Sequence, residues 1–254
     1  MSIGVVRGLA LAAALGISGP SIAAAPAAKP AIVLVHGAFA DALGWQKLIP
    51  ILLRDGYRVT AVEIPLESLA GDVATTKRAL EAEAGPIVLV GHSYGGAVIT
   101  GAGAGEPKVK ALVYLAAFGP DDGEAVGKFG DQYPAPLSKI LKPDSAGFLY
   151  VDRSHFNEDF AGGVPAGDSA IMAATQKPLS SSVFTASVPV AAWKTIPSWY
   201  VVSKQDHAIN PDLERFYAKR MKAHTSEVDA SHVAFITHPS EIAKVIEEAA
   251  ASVK

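Results

Sequence analysis

The sequence predicts an α/β domain: a mostly parallel six-stranded sheet flanked by helices, with a helical cap inserted into it. Three observations carry this. Six short apolar runs recur along the chain, segments of helical spacing alternate with them, and one stretch of some 70 residues breaks the alternation. Strands separated by helices imply right-handed crossovers, and so a parallel sheet.

The runs are A-I-V-L-V (31–35), R-V-T-A-V-E (58–63), P-I-V-L-V-G (86–91), A-L-V-Y-L-A (111–116), S-W-Y-V-V-S (198–203) and the less apolar T-S-E-V-D (225–229). Continuous apolar character, in place of strict alternation, suits strands covered on both faces. Between them, Trp45, Leu48, Ile49 and Leu52 mark a helix that Gly56 ends. Val73, Thr76 and Leu80 form a stripe whose polar side carries Lys77, Arg78, Glu81 and Glu83. A helix starting at Pro211 carries Leu213, Phe216 and Tyr217. The last, with Pro239 and Glu241 in its first turn, carries Ile242, Val245 and Ile246.

The interruption runs over 119–193. It is rich in Gly, Pro, Ser and Ala and shows only short helical patterns, such as 169–174. Phe129, Tyr133, Leu137, Phe148, Phe156 and Phe160 give it too much apolar surface for a disordered segment. It is expected to be a helical cap. The core then comprises 26–118 and 194–254.

Composition narrows the function. Of 254 residues 50% are hydrophobic and 19% charged, which suits one filled core with an insertion. A net charge of −3 gives no basic field for nucleic acid. The absence of cysteine removes disulfides, thiolate catalysis and cysteine-ligated metals. The seven histidines show no H-E-x-x-H or similar spacing, so a metal site is not expected, and the serine chemistry read below needs no organic cofactor. Residues 1–25 hold one charge, Arg7, then an apolar stretch broken by Gly16, Gly19 and Pro20, then Ser21-Ile22-Ala23. That is the pattern of a signal peptide cleaved after 23–25, and it predicts a periplasmic or secreted protein free of the membrane.

Chemistry concentrates at V-L-V-G-H-S-Y-G-G-A (88–97). Gly91-His92-Ser93-Tyr94-Gly95 is G-x-S-x-G between a predicted strand and a predicted helix. A nucleophile on such a turn is lifted clear of the sheet, and its flanking positions must be small because strand and helix come close there. A serine hydroxyl needs a base, and the base needs a group that fixes its tautomer. Asp206 lies in the loop after run 198–203, and His232 in the loop after run 225–229. Both loops open at the carboxyl edge of the sheet, where ligands of open α/β sheets bind. Asp229 is a rival acid, three residues before His232, and His207 is a rival base that abuts Asp206. His92 is read as packing in the turn, His155 as solvated and His238 as a helix-capping residue. The amides of Ala38 and Tyr94 are the expected oxyanion donors.

V-L-V-H-G-A-F, V-G-H-S-Y-G-G, V-K-A-L-V-Y-L-A-A-F-G-P-D and the two downstream loops together resemble the α/β-hydrolases. Within them the chain is most similar to the small group holding plant methyl-salicylate-type esterases, hydroxynitrile lyases and many bacterial esterases. The resemblance spans about 30–250 and is weakest in the cap. It implies an α/β-hydrolase fold, a triad of Ser93, Asp206 and His232, and an oxyanion hole of Ala38 and Tyr94. Hydroxynitrile lyases of this group carry a lysine beside the catalytic histidine, where this chain has Val233. They carry a threonine after the first-loop histidine, where it has Gly37. Both departures favour hydrolysis over cyanohydrin cleavage.

The expected activity is that of a serine hydrolase cleaving small to medium, mainly apolar carboxylic esters, with Phe39, Phe118 and Val233 as substrate contacts. The partner is the small-molecule ester, and a homodimer is left open. A lactonase (including one for signalling lactones) or a perhydrolase would use the same triad. Two readings stand further off: a ligand receptor without turnover, and a cofactor-free dioxygenase built on a His–Asp dyad.

Overall fold

The computed structural model describes residues 29–253, with Met1 and Gly4 as isolated positions. Those two apart, the signal peptide expected over 1–25 lies outside the described residues. The core strands are β1 (Ala31–Val35), β2 (Arg58–Val62), β3 (Ile87–His92), β4 (Val109–Leu115) and, beyond the insertion, two more. All six runs read from the sequence are strands, displaced by at most two residues at either end. Every residue of β1 and β3 is buried, as strands covered on both faces require.

The helices follow from local signals. The pattern around Trp45 is split into a 3-10 turn (Ala42–Lys47) and α1 (Ile49–Arg54). Pro50 offers no N–H to Gln46, and its ring crowds that carbonyl, so no single helix runs through. Gly56, at φ 81°, turns the chain into β2. Helix α2 (Leu69–Ala82) is capped by Ser68, whose side chain accepts from Gly71 N–H. Helix α3 (Tyr94–Ala102) follows β3 directly and is buried throughout.

The insertion corrects one expectation. It is not purely helical. Strands β5 (Leu141–Pro143), β6 (Phe148–Val151) and, after helices α4 (Phe156–Asp159) and α5 (Ala166–Thr175), β7 (Leu179–Ser180) form a separate antiparallel sheet. These strands have two to four residues and are mostly half-exposed, too short to display alternation. Helix α5 occupies the segment where a short helix was read.

The core resumes with β8 (Ser198–Ser203), α6 (Pro211–Met221), β9 (His224–Val228), a single turn α7 (Ala234–Thr237) and α8 (Pro239–Ala251). Asn210 caps α6 by accepting from Asp212 N–H, with Pro211 in the first turn. The six core strands are all parallel, in the order β2-β1-β3-β4-β8-β9. Helices α2 and α3 pack together against the sheet, and α1 packs with α8, which also meets β3, β4 and β8. The loops after β1, β3, β8 and β9 therefore emerge along one carboxyl edge. Among the described residues no helix is long and apolar enough to cross a membrane.

Candidate active site

Ser93 joins β3 to α3 with φ 54° and ψ −124°, a conformation L-residues rarely adopt. Such a residue stores about 1–3 kcal/mol and persists only when its surroundings fix it. Here its N–H donates to Leu115 O (3.1 Å), and its carbonyl accepts from Gly96 N–H and Phe118 N–H (3.0 Å each). The glycines around it serve proximity. A Cβ on Gly91 would lie 2.6 Å from Gly95 O, and one on Gly95 would lie 2.5 Å from Val35 O. One on Gly37 would lie 2.6 Å from Ser93 Cβ. No threonine fits at position 37 without moving the serine.

Asp206 sits three residues beyond β8, and His232 four beyond β9. Both are buried, and His232 Nδ1 lies 2.6 Å from Asp206 Oδ2. A carboxylate has no proton to give, so Nδ1–H donates and Nε2 is left as the acceptor. The other oxygen of Asp206 accepts from Ala208 N–H (2.6 Å) and Ile209 N–H (2.9 Å), which fixes the carboxylate plane. His232 Nε2 is buried with no hydrogen-bond partner. It shares a cavity with Ser93, but no hydrogen bond joins the two side chains. In the unliganded state such contacts are often long and tighten when substrate is bound.

That cavity has a volume of about 360 Å³ and is lined largely by apolar side chains of core and cap. Ala38, Phe39, Tyr94 and Phe118, all read from the sequence, line it. Among the described residues the Ala38 and Tyr94 amides have no hydrogen-bond partner in the protein. Val233 does not line it. It is 1% exposed and joins the hydrophobic core at the start of α7, where its carbonyl accepts from Ile236 N–H (2.8 Å). Its assignment as a substrate contact is corrected on that ground: the turn that places His232 at the cavity directs the next side chain inward. The cap contributes Phe160, 5.3 Å from the His232 ring, and Leu137 from its opposite part.

Two supporting contacts were not read from the sequence. Tyr94 OH donates to Asp72 Oδ2 (2.7 Å), and Asp72 Oδ1 accepts from Leu66 N–H (2.8 Å). The turn residue after Ser93 is thereby moored to a fully buried carboxyl on α2. Burial pushes the Asp72 carboxyl up, and burial together with the Asp72 charge pushes the Tyr94 phenol up. His92 packs in the turn as expected, and also donates from Nε2 to His232 O (3.0 Å), with the two rings 4.5 Å apart. Burial, then the neighbouring His232, holds the His92 imidazole well down, so it stays neutral.

The rivals lie elsewhere. The Asp229 side chain is 70% exposed, 3.1 Å from Gln205 Nε2. His207 donates to Asp159 of the cap (3.0 Å), away from Asp206. His155 is exposed. His238 caps α8, its carbonyl accepting from Glu241 N–H and Ile242 N–H.

The profile of the alpha/beta hydrolase family matches residues 32–245. The chain belongs to the alpha/beta hydrolase family. Over 87% of its length this alpha/beta hydrolase is 27% identical to a protein of Aspergillus novofumigatus described as an alpha/beta hydrolase, covering 97% of that protein. It is 25% identical to Methylesterase 8 of Arabidopsis thaliana over 74% of this chain and 76% of that one, in keeping with the esterase group read from the motifs. The crystal structure of a pyrethroid hydrolase from Sphingobium faniae superposes with a TM-score of 0.74 at 23% identity, covering 88% of this chain and 98% of the other, and shows the shared fold.

Proposed function

We propose that this alpha/beta hydrolase is a serine hydrolase of carboxylic esters. The observation that carries the reading is the His232–Asp206 pair (2.6 Å), with an unpartnered Nε2 at the cavity that also holds Ser93 on its strained turn. His232 Nε2 takes the Ser93 proton as Oγ attacks the acyl carbon, and Asp206 holds the imidazole in the tautomer that can do so. The oxyanion that forms lies beside the Ala38 and Tyr94 amides, which have no competing partner. His232 then protonates the leaving alcohol, and water, deprotonated by the same imidazole, releases the acid and restores Ser93. Relatives described as hydrolases and methylesterases support the same class of reaction.

The cavity supports small to medium apolar esters. Its 360 Å³ falls at the lower end of the usual 300–1,000 Å³ range for small-molecule sites, and Phe39, Phe118 and Phe160 wall the reacting centre. The test is a panel of 4-nitrophenyl esters and lactones run on wild type and Ser93→Ala. Acetate to benzoate esters are expected to turn over, long-chain esters to fall off, and Ser93→Ala to lose at least about 10³-fold in kcat/KM. Hydrolysis by Ser93→Ala at the wild-type rate would end this reading.

A further inference from the structure

Behind the His232–Asp206 pair stands a second acid that the proposed mechanism does not use. Glu214, in the first turn of α6, is wholly buried. Its Oε2 accepts from Ser203 N–H, the last residue of β8, at 2.9 Å. Its Oε1 is buried with no hydrogen-bond partner, and Ser203, which Glu214 holds through its N–H, also accepts from Asp206 N–H (3.2 Å), so that the Asp206 carboxylate is the neighbouring charge. Among the titratable groups around it only Arg215 carries an opposing charge, the smallest of the influences on it. Tyr200 on β8 is buried with its hydroxyl donating to Ala117 O, and Tyr217 on α6 is buried and neutral. Arg215 turns outward to Glu227 and Asp212. On the far side of Asp206 stands His232, already engaged.

Two buried carboxyl groups that are close neighbours do not both ionise. Asp206 receives three donors, from Ala208, Ile209 and His232, whereas Glu214 receives one. The charge belongs on Asp206 and the proton on Glu214. Burial, then the Asp206 charge, pushes the Glu214 carboxyl well up in agreement with this.

We propose that Glu214 is a positioning residue: a neutral carboxylic acid that accepts from Ser203 N–H and donates its own proton to Asp206, fixing the orientation of that carboxylate and drawing charge away from its bond to His232. This rests on the reading of Ser93, His232 and Asp206 as the reacting group. A carboxylate that accepts one hydrogen bond fewer is a stronger base toward its remaining donor. Removing the Glu214 donor therefore makes His232 more basic.

The experiment measures kcat/KM for 4-nitrophenyl acetate against pH on the full chain, for wild type, Glu214→Gln, Glu214→Met and Ser93→Ala. Glutamine can accept from Ser203 and donate to Asp206, so its acidic limb should rescue to the wild-type position. Methionine can do neither, and its limb should rise by about one pH unit with a plateau about tenfold lower. A glutamine limb displaced downward by about a unit would mean that Glu214 is ionised, and a methionine profile coincident with wild type would mean that it does not act on Asp206. Either result overturns the inference. Should methionine fail to fold, melting temperatures still decide. The native carboxyl sits above its ordinary value of 4.5, so wild type must lose stability relative to Glu214→Gln as pH rises above that value. Parallel melting curves would contradict a buried proton. Full activity of Ser93→Ala would instead remove the underlying reading.

Discussion

At Ser93 the backbone accepts an unfavourable conformation because three hydrogen bonds and a set of absent side chains leave no alternative. Gly37 is the sharpest instance. An added methyl there would stand 2.6 Å from Ser93 Cβ, 3.0 Å from His92 O and 3.1 Å from His92 Nδ1. Something must shift, and all three neighbours belong to the turn that holds Ser93. Gly37→Ala is expected to lower kcat/KM by about 10²-fold, the cost of misplacing a reacting group by about 1 Å. The check is kinetics alongside a circular dichroism melt; an alanine variant with wild-type kinetics would show that the turn has room to spare. At this scale much was legible beforehand. Glycines around one serine, an acid and a histidine each just after a strand, and the amides of Ala38 and Tyr94 all announce themselves locally, and the structure gathers them at one rim. Glu214 and Asp72 do not. Each is one acidic residue in the first turn of an ordinary helix, and its meaning comes from partners remote in sequence, β8 for one and Tyr94 for the other. Val233 was misread because adjacency to His232 says nothing about which way the next side chain points.

Between elements, the Tyr94–Asp72 bond ties α3 to α2 under the serine turn, and Leu66 N–H closes the loop before α2 onto the same carboxyl. Tyr94→Phe leaves Asp72 Oδ2 buried without its donor. The expected cost is about 1–3 kcal/mol in unfolding free energy by denaturant titration, with a decrease in kcat as the Tyr94 amide loosens. An unaltered stability would mean that Asp72 finds another donor. The element boundaries show which signals are local. The four inner strands were legible because a strand buried on both faces is written as an almost uninterrupted apolar run, whereas the partly exposed edge strands β2 and β9 were read from shorter apolar stretches. The helix around Trp45 was legible in place but not in kind, since Pro50 divides it. The three cap strands and the four-residue α7 were not, since two to four residues are too few to repeat a pattern.

Across the molecule, the insertion is fastened to the core on several sides. Arg220 of α6 binds Glu124 through both of its terminal nitrogens and donates to Gly119 O. Ser180 N–H donates to Leu66 O (2.9 Å), Leu137 N–H to His207 O (2.9 Å), and Lys177 meets Glu63 just beyond β2. The neighbouring His36, then Lys177 and the Ala42 N–H, hold the Glu63 carboxyl down to about 2, and Lys177 is the direct charge contact among them. A carboxylate lowered on folding adds stability above its ordinary value of 4.5 and loses it as pH falls through that value toward 2. The melting temperature of wild type should therefore exceed that of Lys177→Met at neutral pH, by a gap that closes as pH falls from about 5 to about 2. A gap independent of pH would place the contribution of Lys177 elsewhere. The contact is half-exposed, so the gap is expected to be small and to shrink in salt.

In the proposed mechanism one hydroxyl, that of Ser93, is made reactive by one imidazole, that of His232. Covalent labelling with a small organophosphonate, followed by intact-mass measurement and peptide mapping, addresses it most directly. One adduct per chain is expected, on Ser93, formed on the order of 10²–10⁴-fold more slowly in His232→Ala, the contribution of a positioned base. An adduct on any other residue, or equal labelling rates with and without His232, would contradict it.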